Sequence, residues 1–155
     1  MELNGAEQVA DQLAAAYATD PETAKSTLDS LFAAEVELRH VPALPSDGMV
    51  ARARLAEGTG KEAAAITSVL ADLHHEDVEV VADGDRVHVT AFICGTLPTG
   101  KAVRLQSDMW CTVGGGRVVG LEHRMDEDTM AAWIEVAVAG GLNRPASRPD
   151  RAGPT

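Results

Sequence analysis

The chain has 155 residues, of which 45% are hydrophobic, and it carries a formal net charge of −11 at pH 7. Such a length and composition are typical of one globular domain with a buried core, and they exclude a disordered chain. The acidic charge argues against nucleic acid and anionic membranes as partners, because both would repel this surface.

The first part of the chain has the periodicity of two helices. Apolar residues recur at helix spacing over residues 5–20, and Tyr17 lies on the apolar face. Asp20 and Pro21 predict the start of a second helix, because Asp is favoured as N-cap and Pro at the first helical position. The segment AEVELRHV then alternates like a short strand that ends at His40 and Val41.

A long loop and a third helix are expected next. The segment PALPSDGMVARARLAEG is weakly patterned and rich in Pro and Gly, and loops of this length in compact domains are often functional. Thr59 and Glu62 have the spacing of a capping box, which predicts a helix that begins at Thr59. His74 and His75 are expected to close this helix, since cations favour a helix C-terminus.

The rest of the chain predicts a sheet and a last helix. VEVVA, RVHVTAFICG, KAVRLQSDMWCTV and RVVGLEHRM are interpreted as strands separated by DGD, LPTG and GGG turns. An amphipathic helix is predicted over residues 127–139. The expected fold class is therefore α+β, with a curved antiparallel sheet wrapped around the N-terminal helices.

The layout of the chain predicts one domain over residues 1–141 and a disordered tail, rich in Pro and Arg, over residues 142–155. No apolar run in the sequence approaches the roughly 20 residues that cross a bilayer. The N-terminal segment MELNGAEQVADQL lacks the basic and then apolar order of a signal peptide. We therefore expect a soluble, cytoplasmic protein without a membrane partner.

This order of elements resembles the SnoaL-like and ketosteroid-isomerase-like superfamily, whose cone-shaped fold is shared with nuclear transport factor two. The resemblance covers residues 5–140, and its most specific pieces are GTGKEAAAITSVLADL and GGGRVVGLEHRMDED. It implies a homodimer formed through the sheet. Families of this fold include isomerases, polyketide cyclases, epoxide hydrolases, dehydratases and proteins that only bind ligands, so the resemblance implies the fold more directly than the chemistry.

The resemblance implies four candidate catalytic residues. Tyr17 matches the family's pocket tyrosine, and His40 stands where ketosteroid isomerases have their general-base aspartate. Asp108 matches their second hydrogen-bond donor to an oxyanion, and His123 matches the catalytic acid of the SnoaL cyclases. Each has a structural alternative: Tyr17 could serve packing, and His40 could be a solvated residue at the end of a strand.

The residues themselves leave the two central positions open. Alternation along KAVRLQSDMWCTV groups Asp108 with Trp110 and turns both away from the core, whereas the family spacing turns Asp108 into the pocket. His123 is the lone polar residue in an apolar row that includes Leu121 and Met125. It is either a satisfied core histidine or a pocket imidazole suited to acid–base work.

These observations give one leading function and one alternative. The leading hypothesis is a cofactor-independent isomerase, cyclase or dehydratase that acts on a small hydrophobic molecule, such as a polyketide- or steroid-like ketone. Its apolar pocket is expected to be lined by Phe92, Trp110, Leu121 and Met125. Neither a cofactor nor a metal ion is expected. The alternative is a non-catalytic module of the same fold that binds a small molecule or a protein.

Overall fold

The structure of the protein is a computed structural model that describes residues 5–141, so the expected disordered tail lies outside the described residues. The helices are α1 (Gly5–Tyr17), α2 (Pro21–Leu31), α3 (Arg52–Val69) and α4 (Glu127–Ala139). The strands are β1 (Phe32–Val41), β2 (Gly48–Ala51), β3 (Ala71–Asp83), β4 (Arg86–Thr96), β5 (Ala102–Gly114) and β6 (Arg117–Arg124). None of these helices is long and apolar enough to cross a membrane.

The strands form one six-stranded sheet in the order β2-β1-β6-β5-β4-β3. The strands from β3 to β6 pair as antiparallel neighbours, as their turns predict. The sheet is nevertheless mixed and not purely antiparallel, because β1 pairs with β6 in parallel. Alternation is the same in both strand directions, so the sequence pattern could not reveal this pairing.

Two apolar clusters hold the helices on one face of the sheet. The larger cluster packs α1 against the sheet, with Leu13 and Phe32 fully buried. The smaller cluster joins α3 and α4 to the sheet around Leu105 and Val136, which are also fully buried. The helices therefore cover a single face of the sheet, as expected for an α+β fold.

The helix predictions are confirmed except for α3. Asp20 caps α2, and its Oδ1 accepts a hydrogen bond from the backbone N–H of Thr23 at 2.6 Å. By contrast, α3 begins at Arg52, so Thr59 lies inside the helix, where its Oγ1 donates to the carbonyl of Leu55 at 3.1 Å. The predicted loop thus contains a strand and the first turns of a helix, because RARLAE consists of good helix formers.

The C-terminal limit of α3 also differs from the prediction. The helix ends at Val69, and β3 begins at Ala71. His74 and His75 therefore lie in a strand, paired with residues of β4, and not at a helix end. The strand prediction VEVVA was too short, since β3 extends seven residues further towards the N-terminus.

Candidate active site

A cavity of about 760 Å³ lies between the helices and the sheet. Its volume falls in the range of sites for small molecules. All four helices contribute to its wall, as do several strands and the segment between β1 and β2. Much of the wall is apolar, formed by Leu38, Leu55, Ile66, Ile93, Met109, Met125 and Trp133.

His40, at the end of β1, borders the cavity and is held by Asp47. The distance from His40 Nδ1 to Asp47 Oδ1 is 2.6 Å, and Asp47 Oδ2 accepts the backbone N–H of His40 at 3.0 Å and that of Leu44 at 3.2 Å. Desolvation acts to raise the pKa of Asp47, but these hydrogen bonds outweigh it and lower the pKa. The ionised carboxylate therefore favours a proton on Nδ1 and leaves Nε2 as the basic nitrogen of His40.

His123 lies beside His40 because β1 and β6 pair in parallel with these two residues opposite each other. The rings are stacked, with centroids 5.6 Å apart and an angle of 20° between their planes. Burial in the cavity wall and the proximity of His40 lower the pKa of His123 to about 4, although Asp108 acts in the opposite direction. His123 is therefore a neutral imidazole at pH 7, beside the imidazole that Asp47 orients.

Tyr17 and His75 form a second aromatic pair in the cavity wall. Their ring centroids are 4.8 Å apart, and the rings are stacked at 29°. Burial raises the pKa of Tyr17 to about 12, so the phenol is a neutral donor. Nδ1 of His75 is buried and, within residues 5–141, has no hydrogen-bond partner. Tyr17 thus packs on His75 and borders the cavity as a neutral phenol.

Asp108 borders the cavity, but its carboxylate is engaged elsewhere. Its Oδ1 lies 2.7 Å from Nε2 of His88, and the strand register places Asp108 on the face of the sheet that carries Trp110. Met109, the next residue, faces the other way and lies opposite His123. Strand alternation therefore describes Asp108 better than the family spacing does.

The four expected pocket residues occupy three different places. Met125 borders the cavity, whereas Leu121 lies in the core at 3% exposure. Trp110 and Phe92 are on the outer face of the sheet, where Trp110 stacks on His88 with ring centroids 4.0 Å apart. Both strand faces are partly covered here, so hydrophobicity alone did not distinguish the cavity face from the outer face.

Sequence reasoning missed Asp47 and Glu62. Asp47 lies in the segment interpreted as a loop, seven residues after His40, and no local pattern marks its bond to the ring. Glu62 was interpreted as part of a capping box, but it lies in the interior of α3 and borders the cavity. Burial raises the pKa of Glu62, although His40 acts to lower it. The sequence pattern therefore assigned to a helix end an acidic residue that in fact borders the cavity.

One cluster on the outer face has side chains of the metal-binding kind. Ligand atoms of His74, Glu76 and Cys94 all lie within 4.8 Å of one another. However, Glu76 already bonds His74 Nε2 at 2.8 Å and Arg104 Nε at 3.3 Å, and His74 Nδ1 is 2.6 Å from the carbonyl of Asp72. With a guanidinium among its members, this cluster is an ion-pair network, and the geometry gives no reason to place a metal there.

Comparison with known proteins identifies solved structures that have a similar fold. No family model and no curated protein matches the sequence. An NTF2-like protein from Burkholderia xenovorans LB400 is similar, with a TM-score of 0.55 and 22% identity over 88% of this chain and 98% of that chain. A proposed polyketide cyclase from Xanthomonas campestris pv. campestris gives 0.57 and 17%, over 83% and 98%. TerC, co-crystallised with polyporic acid, gives 0.58 and 18%, over 85% and 99%.

Proposed function

We propose that this chain, which has the NTF2-like and ketosteroid-isomerase-like fold, is a cofactor-independent enzyme that moves protons on a small hydrophobic carbonyl compound. The observation that carries the proposal is that His40, which borders the cavity beside His123, is bonded to the carboxylate of Asp47. A histidine base oriented by a carboxylate is an arrangement that suits proton transfer. A polyketide- or steroid-like ketone is the substrate class, and we also propose a cytoplasmic location.

The chemistry follows from the protonation states of the two histidines. His40 Nε2 takes a proton from the carbon next to the carbonyl, and the resulting imidazolium is stabilised by the carboxylate of Asp47. Return of the proton at another carbon gives an isomerase. Loss of a leaving group gives a dehydratase, and attack of the enolate on a second carbonyl gives a cyclase. His123, being neutral, can hydrogen-bond the ligand without adding a positive charge.

Three further observations support the proposal. Tyr17, His40 and His123 border one cavity, as an active site would require and as a surface used only for protein contacts would not. The cavity wall is also largely apolar, which suits a hydrophobic ligand. The similar structures include a proposed polyketide cyclase and a protein crystallised with polyporic acid, which is in keeping with such ligands.

Exchange of α-protons in D₂O tests this proposal. A panel of mono- and bicyclic ketones is followed by proton NMR with the wild-type protein, H40Q and R39Q. Arg39 is the matched control, because it neighbours His40 on β1 but is exposed and pairs with Glu122 at 3.8 Å. We expect exchange to fall by about 100-fold in H40Q and to stay unchanged in R39Q. Binding of ketones without exchange would instead favour the non-catalytic ligand-binding module.

A further inference from the structure

We propose that the ligand is an α-hydroxy ketone and that His123 carries a proton between its two oxygens while His40 moves the proton on carbon. The proposal rests on the proposed function for the base, and it deepens that function by naming the substrate class and the reaction. In this reaction the carbonyl and hydroxyl groups exchange places between two neighbouring carbons.

His123 lies on an inner strand of the sheet, on the face that the helices cover. β6 runs between β1 and β5, and His123 pairs with His40 on one side and with Met109 on the other. Met109 is buried in the core, as is Leu121, two residues before His123 on β6. The ring of His123 is half-buried and borders the cavity, so its accessible part opens into the cavity.

The ring nitrogens of His123 are unpartnered within residues 5–141. The ring stacks on His40, but no group in that range forms a hydrogen bond with Nδ1 or Nε2 of His123. These atoms are also not sealed in the packing, because the buried side-chain nitrogen without a partner there is Nδ1 of His75. A neutral imidazole has one donor and one acceptor nitrogen. A ligand that carries an acceptor and a donor, such as a carbonyl oxygen and a hydroxyl group, satisfies both.

His40 and His123 differ in what fixes the position of their protons. Asp47 Oδ1 lies 2.6 Å from Nδ1 of His40, so the proton stays on Nδ1 and His40 acts through Nε2. No carboxylate in the described part of the chain holds His123 in this way, since Asp108, which acts on its charge, is bonded to His88 at 2.7 Å. Neither nitrogen of His123 is therefore committed to a proton, and the ring can receive one proton while it releases another.

The charge state of His123 suits this role, because an imidazolium has two donors and cannot receive a proton. Burial and the neighbouring His40 lower the pKa of His123 to about 4, and the attraction of Asp108 does not offset them. His123 is thus neutral at pH 7 even beside the base. A neutral imidazole of lowered pKa can polarise a carbonyl group through its N–H.

The stack of the two rings determines which ligand atoms they can reach. Their centroids are 5.6 Å apart, and their planes are inclined by 20°. Because the rings are nearly parallel and lie on neighbouring strands, they meet a ligand from the same side. A proton-transfer contact spans about 2.6–3.2 Å, so the rings can serve adjacent atoms of one ligand. In an α-hydroxy ketone these are the carbon that carries the hydroxyl group, at His40, and the two oxygens, at His123.

The step is balanced without any other reactant. His40 Nε2 takes the proton from the carbon that carries the hydroxyl group, and the C–H electrons form a carbon–carbon double bond. The π electrons of the carbonyl group move to its oxygen, which gives an enediolate beside the imidazolium of His40. His123 gives its N–H proton to this oxygen and takes the proton of the other oxygen, so it stays neutral. His40 then returns its proton to the former carbonyl carbon, and the carbonyl group forms at the neighbouring carbon.

Two isomers of hydroxyindanone test the proposal. Proton NMR in D₂O follows 2-hydroxy-1-indanone for two rates, the exchange of its proton at carbon 2 and the formation of 1-hydroxy-2-indanone. We expect both processes with the wild-type protein. H40Q should slow both by about 100-fold, because no base then acts on carbon.

H123Q separates the relay from a structural role. Glutamine can hydrogen-bond the ligand but cannot relay a proton, so isomer formation should fall by about 100-fold relative to exchange at carbon 2. A variant that is only poorly folded would lose both rates equally. H74Q is the matched control, because His74 is exposed and does not border the cavity, and its ratio of the two rates should equal that of the wild type. An unchanged ratio in H123Q would overturn the proposal.

A second measurement does not need turnover. The ¹⁵N signals of the His123 ring are assigned by their absence from H123Q and recorded at pH 7 with and without 2-hydroxy-1-indanone. We expect a neutral ring whose nitrogen shifts move when the hydroxy ketone is added. A charged ring, or shifts that do not move, would speak against the relay.

The outcomes separate this proposal from the proposed function. Exchange of ketone protons by the wild type without isomer formation would leave the proposed function intact and overturn the relay. Absence of exchange with every ketone, the hydroxy ketones included, would refute the proposed function and the relay with it.

Discussion

Asp47 determines which nitrogen of His40 is basic, although it is not among the residues that border the cavity. Its carboxylate binds both the ring and the backbone N–H of His40, and so fixes the orientation of the side chain as well as its tautomer. The side chains of His40 and Asp47 are only 18% and 20% exposed, so little water competes for this bond. Asp47 is therefore a positioning residue, which acts through His40.

Replacing Asp47 with Asn tests this role. D47N should lower kcat for ketone exchange by about 100-fold, because the imidazolium of His40 loses its counter-charge. KM should stay unchanged, because Asp47 does not contact the ligand. Steady-state kinetics measure both constants, and D83N, which changes an exposed aspartate of β3, is the control. A rise in KM at constant kcat would contradict the positioning role.

His123 makes the stability of the fold depend on pH. Its pKa falls from 6.5 in the unfolded chain to about 4 in the folded one, so between these values the unfolded state binds more protons. The free energy of unfolding therefore rises with pH in this window. Acidification from pH 7 to pH 4 lowers it by about 2–3 kcal/mol. Urea titrations from pH 7 to 4 should show this loss in the wild type and a smaller one in H123Q. Equal losses in both would exclude His123 as the cause.

At the scale of elements, α3 is a helix that contains two glycines, residues that usually disfavour a helix. Gly58 ends the segment interpreted as a loop, yet it lies within the helix together with Gly60, and a Cβ at either position would meet no atom within 4 Å. Gly95 of β4 is different, because a Cβ there would lie 2.8 Å from Cβ of Leu70 and 2.9 Å from the carbonyl of Ala71. This glycine lets the end of α3 approach the sheet closely.

These contacts predict opposite effects of the same substitution. G60A should raise the free energy of unfolding by about 0.5–1 kcal/mol, because alanine favours the helix over glycine and meets no neighbour. G95A should lower it by about 1–3 kcal/mol, since the added methyl group overlaps packed atoms. Urea denaturation at pH 7 measures both changes. A destabilised G60A would show that Gly60 has a role beyond the helix backbone.

At the scale of the whole molecule, the sheet has an outer face without helices. There the guanidinium of Arg86 lies 4.3 Å from the centre of the Trp110 ring, which stacks in turn on His88 at 4.0 Å. Val81 pairs with His88 on the same face and is 48% exposed. We propose that a second copy of the chain covers this face, because it combines apolar groups with both signs of charge.

The proposed homodimer can be tested by sedimentation equilibrium. The wild type should have the mass of two chains, and V81E should shift towards one chain, because it buries an unpaired carboxylate in the contact. V138E is the control, since Val138 is also exposed, at 44%, but lies on α4. A monomeric wild type, or a V81E protein that remains dimeric, would rule out a contact through this face.

The sequence by itself determined the elements whose signals are local. The N-cap Asp20 and the two-residue periodicity around the GGG turn set α2 and the hairpin of β5 and β6, because hydrogen bonds between near neighbours specify both. Alternation also predicts the strand face that Asp108 shares with Trp110, since it depends only on the pleat of its own strand. The fold class followed from the order of these elements, and the similar structures confirm it.

Only the tertiary structure decided which residues share the cavity. His40 and His123 lie far apart in the sequence and meet through a parallel pairing of β1 and β6 that no turn encodes. Asp47 and Glu62 acquire their places when the β1–β2 segment and α3 fold over the sheet. The physical reason is that periodicity records which face of an element is buried, whereas the site depends on which elements that burial brings together.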